Sequence, residues 1–275
     1  MLKKFFRFLI IIFAIIGFFF VFGYTAVRLK LTNTSGIIDE QSKNFLQIPK
    51  RDKEYTVFPL AHSPEWIAFR IAVFKDKDII EKVSKETGVP ARILVALLVP
   101  EQMRLFNSDR ALFKQVFDPL KILGSQSQFS WGIFGIKDDT AREIEKNLTD
   151  KNSPFYIGVK YEHLLDFKTN DVDQERFQRI IDEHNHIYSY LYTALYIAQI
   201  NKQWATAGIS INNRPEILAT LFNLGFEKSI PNKNPKSGGA SIDINGTTWS
   251  FGALAGAFYY SDEMIEIFPE NQIPK

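Results

Sequence analysis

At 275 residues, 45% hydrophobic and 23% charged, the chain is long enough to bury one substantial core, and its length suits one domain plus an anchor better than two domains. Thirty-three Lys and Arg against 31 Asp and Glu leave a formal charge of +2, which gives no reason to expect a nucleic-acid partner. The absence of cysteine excludes disulfides, thiolate catalysis, Cys-based zinc sites and a lipidated N-terminal cysteine.

The chain opens with Lys3, Lys4 and Arg7, then an uncharged apolar run over residues 8–27, then Arg28 and Lys30. About 20 apolar residues in a helix span about 30 Å, the thickness of a bilayer's hydrocarbon core. The run is longer than a cleavable signal needs and ends without an A-x-A motif, so residues 1–28 are expected to form an uncleaved transmembrane signal anchor. A cleaved signal is the alternative. The positive-inside tendency puts the N-terminus in the cytoplasm and the main domain in the periplasm or extracellular space, tied to the cytoplasmic membrane, with the reverse topology as the alternative. Residues 29–54 are polar and read as a tether. Residues 55–270 read as one all-α domain.

Within that domain, Ser63-Pro64 starts a predicted helix through Phe74, with serine as N-cap and proline at the first helical position. Lys77 to Thr87 is amphipathic and closed by Gly88, and Pro90 opens an apolar helix over Ala91–Leu105. Thr140-Ala-Arg-Glu143 has capping-box spacing and starts a short helix. Ser153-Pro154 starts another through about Phe167. Asp173 to about Trp204 reads as long and helical, with a break expected near His184–His186. Pro215 opens Glu216–Leu224, which stops at Gly225, and residues 226–246, rich in Asn, Lys, Pro and Gly, read as a long loop. Ser250–Tyr260 reads as a final helix. No internal repeat is present.

Helical spacing puts Glu101 on the stripe of Leu94, Leu97, Leu98 and Leu105. A carboxyl there is partly desolvated, which favours its protonated form and suits a general acid. On periodicity alone, a helix-end glutamate that reaches water fits better, with Pro100 bending the helix. Two segments further along the chain change the balance. Ser130-Trp-Gly-Ile-Phe-Gly-Ile-Lys137 with Asp139-Thr-Ala141 resembles the Ser-x-Gly-Leu-Met-Gln-Ile…Thr-Ala signature of lysozyme-like lytic transglycosylases. Ala219-Thr-Leu-Phe-Asn-Leu-Gly225 is similar to that family's Ala-Tyr-Asn-Ala-Gly motif, and Thr193-Ala-Leu-Tyr-Ile197 is loosely similar to its Gly-x-x-Tyr-Leu helix.

The resemblance spans roughly residues 80–230. It implies a lysozyme-like helical fold and cleavage of peptidoglycan glycan strands between N-acetylmuramic acid and N-acetylglucosamine. It makes Glu101 the catalytic acid and then base, puts Ser130, Gly132, Ile133 and Phe134 along the cleft, and has Asn223 support the site. It implies no cofactor and no metal. Tyr259 or Tyr260 is the candidate for a tyrosine that bonds the glutamate. One carboxylate suffices where the substrate's 2-acetamido group supports the developing cation. Hydrolysis would need a second, from Asp109, Asp118 or Asp138. The chain departs from the family pattern at Gln102, where serine is usual, at Gly135 in place of glutamine, and at Phe222 in place of tyrosine. The gap from Glu101 to Ser130 is also longer than usual, with residues 106–128 a candidate cleft wall or lid. A catalytically inactive, glycan-binding or scaffolding module is therefore the alternative.

The remaining features read as structural. His184 and His186 stand at i,i+2, a spacing that does not face one metal from a helix. Most of Tyr188, Tyr190, Tyr192 and Tyr196 are expected in the core or at its rim, with stacking on sugar rings open for some.

Overall fold

The computed structural model describes Arg7, Gly17, Phe18 and Val21, then residues 58–106 and 132–270 apart from residue 245. The predicted anchor and tether lie outside the described residues but for those first four. Among the described residues no helix is long and apolar enough to cross a membrane. The chain divides into two units, Met1–Ser35 and Gly36–Lys275.

The second unit is mainly helical. In chain order the helices among the described residues are α1 (Pro64–Lys75), α2 (Lys77–Thr87), α3 (Ala91–Phe106), α4 (Asp138–Thr149), α5 (Val172–Ile181), α6 (Ile187–Thr206), α7 (Pro215–Leu224) and α8 (Phe251–Tyr259). The strands β1 (Ser241–Ile244) and β2 (Thr247–Ser250) form an antiparallel hairpin just before α8, in register from Ser241 opposite Ser250 to Ile244 opposite Thr247.

The helix boundaries have local causes. Ser63 Oγ accepts from Trp66 N at 3.1 Å and caps α1. Ser250 Oγ accepts from Ala253 N at 3.2 Å and caps α8. α4 begins at Asp138, two residues before the expected capping box, so that Asp138 and Asp139 fill its first turn, where the helix dipole favours carboxylates. The break expected near His184 falls at residues 182–186. There Asp182 Oδ1 accepts from the amides of His184 and Asn185, and Asn185 Oδ1 accepts from Ile187 N. These side chains supply the turn bonds that a continuous helix would otherwise make.

Two sequence expectations are corrected. Residues 154–167 form no α-helix; they make turns and one 3₁₀ turn over Val159–Tyr161, preceded by Gly158 at φ 115°. A backbone with that φ cannot continue a right-handed helix. The segment 226–246 is not all loop either, because β1 lies within it, burying Ile242 and Ile244 while Ser241 and Asp243 face out.

The core is built around α3 and α6. Every residue from Arg92 to Glu101 is buried, as is every residue from Ser189 to Ile197. Helices apolar nearly all round need partners on every side. α3 packs against α1, α2, α6, α7, α8 and β1. Arg92 lies inside this packing with 0% of its surface exposed. Its Nε donates to Tyr259 O at 2.8 Å. Nη1 donates to Glu263 O and Phe268 O at 3.0 and 2.9 Å, and Nη2 to Phe258 O and Ser261 O at 3.0 and 2.6 Å. All five guanidinium protons are thus used, and the end of α8 with the turns after it is tied to the start of α3.

Replacing Arg92 with methionine should lower unfolding stability by about 3–5 kcal/mol, since it strands buried carbonyls. Arg92→Lys should recover less than half of that loss, because an ammonium cannot reproduce the planar five-donor fork. Urea unfolding followed by the fluorescence of the buried Trp66 and Trp204 reads both variants.

Candidate functional site

Glu101 sits in the last turns of α3 with 5% of its surface exposed. The burial expected of a general acid is present, but the surroundings are not purely apolar. Arg104, one turn further on, donates from Nη2 to Glu101 Oε1 at 2.6 Å. A cation in contact stabilises the carboxylate anion rather than the acid. The i,i+3 spacing that makes this pair was visible in the sequence.

The neighbouring Gln102 donates through Nε2 to the backbone carbonyl of Ile133. This bond joins the end of α3 to the Gly132–Gly135 turn, closed by Gly135 N donating to Gly132 O at 3.3 Å. The Glu101 segment and the second motif, 31 residues apart at this bond, are therefore adjacent in space. Gly132 is required there for two reasons: its φ is +65°, and a Cβ would lie 2.4 Å from both Ile180 O and Ser189 Oγ. The turn is thus pressed against the joint between α5 and α6, where Ser189 Oγ donates to Ile180 O at 2.8 Å.

Phe134 does not line an open surface. It is 1% exposed and packs edge-on to Tyr190 and Phe222, with ring centroids 5.1 and 6.2 Å away. Its ring supports the turn from beneath, whereas Gly132 and Ile133 are half-buried. Phe222, in the 219–225 segment, also meets Tyr196 and Phe251, so the 130–137, 193–197 and 219–225 segments converge on one aromatic cluster. Asn223 accepts through Oδ1 from Ala240 N at 2.8 Å and holds the strand-entry loop. Ser130, Asp109 and Asp118 lie outside the described residues.

Tyr259 and Tyr260 are placed elsewhere. They end α8 beside Arg92, whose guanidinium carbon is 5.7 Å from the Tyr259 ring centre. Glu101 is nine residues further along α3, about 13 Å of helix. The Tyr260 hydroxyl donates to Asn213 O at 3.2 Å. The α6 tyrosines are core: Tyr190, Tyr192 and Tyr196 are buried, and their hydroxyls donate to Asp76 Oδ2, Glu145 Oε1 and Leu221 O. Tyr188 is half-buried under the Arg179 guanidinium.

Asp138 belongs to a charged cluster joining α4, α5 and α6. Arg142 Nε donates to its Oδ2 at 2.8 Å, and Arg142 also pairs with Asp173 at 2.7 Å. Arg176 bonds Glu145 through two nitrogens, at 2.6 and 2.7 Å, and Asp173 at 2.7 Å. Burial pushes the Asp138 carboxyl above its ordinary value, opposed by the Arg142 hydrogen bond and charge. Hydrogen bonds from Arg142 and Arg176 hold Asp173 below its own. These partners make Asp138 part of the scaffold.

A second polar cluster had no signal in the local sequence. His186 Nδ1 lies 2.7 Å from Asp76 Oδ2, and the Tyr190 hydroxyl donates to the same oxygen at 3.2 Å. It ties the α1–α2 junction to the start of α6, next to the Phe134 contact. The Asp76 hydrogen bond raises the His186 pKa against the opposing effect of burial. Residue types gave no hint of this pair because its members are 110 positions apart.

No family model, curated protein or solved structure matches this chain.

Gly132→Ala should cost about 1–3 kcal/mol of stability through the strained φ and the close approach, read as a lowered urea midpoint. For His186, the folded pKa lies above the unfolded one. Its stabilisation is therefore complete below about pH 6.5 and is lost as pH rises through the folded value. His186→Gln should consequently destabilise more at pH 5 than at pH 9, as measured by unfolding curves at both.

Proposed function

We propose that the protein is a membrane-anchored enzyme that cleaves peptidoglycan glycan strands as a divergent lysozyme-like lytic transglycosylase, with Glu101 as its general acid and base. The supporting observation is the junction made by Gln102 and Ile133. It joins the end of α3, the helix that carries the buried Glu101, to the Gly-Ile-Phe-Gly turn, whose Phe134 packs against Phe222. These are the segments whose sequences resemble the family's.

In this reading the protonated Glu101 gives its proton to the glycosidic oxygen as the bond to C1 breaks. The substrate's 2-acetamido group supports the positive charge at C1. The Glu101 carboxylate then takes the proton of the 6-hydroxyl as that oxygen bonds to C1, which leaves a 1,6-anhydro end. Arg104 suits the base half of this cycle. In the acid half the incoming sugar must displace it from Glu101. The apolar run at residues 8–27 is the proposed anchor, which holds the domain outside the cytoplasm beside the cell wall.

The Arg104–Glu101 ion pair favours a second reading: a lysozyme-like module that binds glycan or scaffolds an envelope complex without cutting. A carboxylate engaged by a guanidinium serves to hold the end of α3 together.

Full-length protein in detergent, incubated with purified sacculi, is expected to release muropeptides with anhydro ends, identified by mass spectrometry. Glu101→Gln should reduce release by about 10²–10⁴-fold while sacculus binding persists. Equal release by the variant rules out Glu101 as the acid. Binding without release in the unaltered protein selects the second reading.

A further inference from the structure

α1 is apolar on two sides. Trp66, Phe69 and Val73 enter the core, while Ile67, Ile71 and Phe74 point outward and are 54%, 56% and 60% exposed. Spaced at four and three residues, the outer three fall within about 60° of the helix circumference. They form a continuous stripe rather than scattered surface residues. Beside it, over residues 67–75, α1 exposes only small or charged side chains, Ala68, Ala72, Arg70 and Lys75, and a contiguous stripe of large apolar ones marks a contact.

The flanks of the stripe are cationic. Arg70, with 48% of its side chain exposed and 3.8 Å from Glu263 Oε2, lies on one edge and the exposed Lys75, its side chain free to reach lipid headgroups, on the other. Glu65, the sole acidic residue of α1, is on the far side of the helix. An apolar stripe edged by Lys and Arg is the pattern of a helix that lies in the headgroup region of a bilayer, where apolar burial and attraction to anionic lipid act together. The position in the chain agrees. α1 is the first helix among the described residues of its unit, and only 36 residues separate Pro64 from the end of the apolar run at residue 27.

We propose that the Ile67–Ile71–Phe74 face of α1 docks on the anionic phospholipid surface of the membrane in which residues 8–27 are anchored. The inference rests on the anchor in the proposed function. Three side chains make a weak contact by themselves, but tethering converts docking into an intramolecular step with a high effective concentration. Docking would fix which side of the domain faces the lipid.

The chain has no cysteine, so single cysteines can be introduced without background. Ile71→Cys and Phe74→Cys on the stripe, with Asp78→Cys and Lys85→Cys on α2 as controls, carry an environment-sensitive fluorophore. The full-length protein is reconstituted into phosphatidylcholine–phosphatidylglycerol vesicles containing spin-labelled lipid. The expected result is co-flotation with the vesicles and quenching several-fold stronger at 71 and 74 than at 78 and 85. The difference should shrink in pure phosphatidylcholine and at high salt. Co-flotation with equal quenching at all four positions overturns the docking and leaves the anchor standing. Failure to co-float overturns the anchor and the docking with it. Burial of the 71 and 74 probes in detergent without vesicles, accompanied by cross-linked dimers, overturns the docking in favour of a second copy of the chain.

Discussion

The second unit depends on one enclosed cation. Arg92 has no contact with water, and a guanidinium in such a place is tolerated only when each of its protons meets an acceptor. Its acceptors are five backbone carbonyls from Phe258 to Phe268, at the end of α8 and in the turns beyond it, where the helical ladder has run out. One side chain thus satisfies the end of the last helix and fastens it to the central one. Burial lowers the Arg92 pKa, and the carboxylates Glu270, Asp262 and Glu266 act in the opposite direction.

The same constraint explains where the candidate site lies. α3 is enclosed on all sides, so each polar group on it must find a partner inside the fold or at the edge of it. Arg92 meets this need with the C-terminal turns, Glu101 with Arg104, and Gln102 with the Ile133 carbonyl. The Gln102 bond is what carries a distant segment to the end of α3. Beneath it, Phe134, Tyr190, Tyr196, Phe222 and Phe251 form a continuous aromatic support. The ionic cluster around Arg176 and the Asp76–His186 pair brace the helices on which that support stands. The rigidity of the turn joined to the end of α3 therefore comes from outside that helix.

Much of the helical layout was legible because caps and breakers act over a few residues. Ser63-Pro64, Gly88 and Pro215 with Gly225 mark ends that the structure reproduces within about two residues. Where a local signal misleads, the reason is physical. Ser153-Pro154 does start a turn, with Ser153 Oγ accepting from Phe155 N, but nothing after Gly158 carries it on as α-helix. The hairpin was written in Ser-Ile-Asp-Ile and Thr-Thr-Trp-Ser on either side of Asn245-Gly246, a strong turn dipeptide. It was masked by the polar, Gly-rich composition around it. In the site, periodicity alone favoured a Glu101 that reaches water, and packing around the end of α3 buries it instead, while its pairing with Arg104 depended on a choice of rotamer that spacing permits but does not select.

The sequence by itself determined most of the helices, many of their ends and the presence of one helix too apolar to face water, because those properties depend on neighbours within a turn or two. Only the tertiary structure decided which distant groups would meet: Asp76 with His186, Arg92 with the segment 166 and more residues away, and Phe134 with Phe222. Such partners are chosen by how the helices pack and by the cost of leaving a buried charge or amide unmatched. That cost is a property of the enclosed interior, which does not exist until the chain has folded around it.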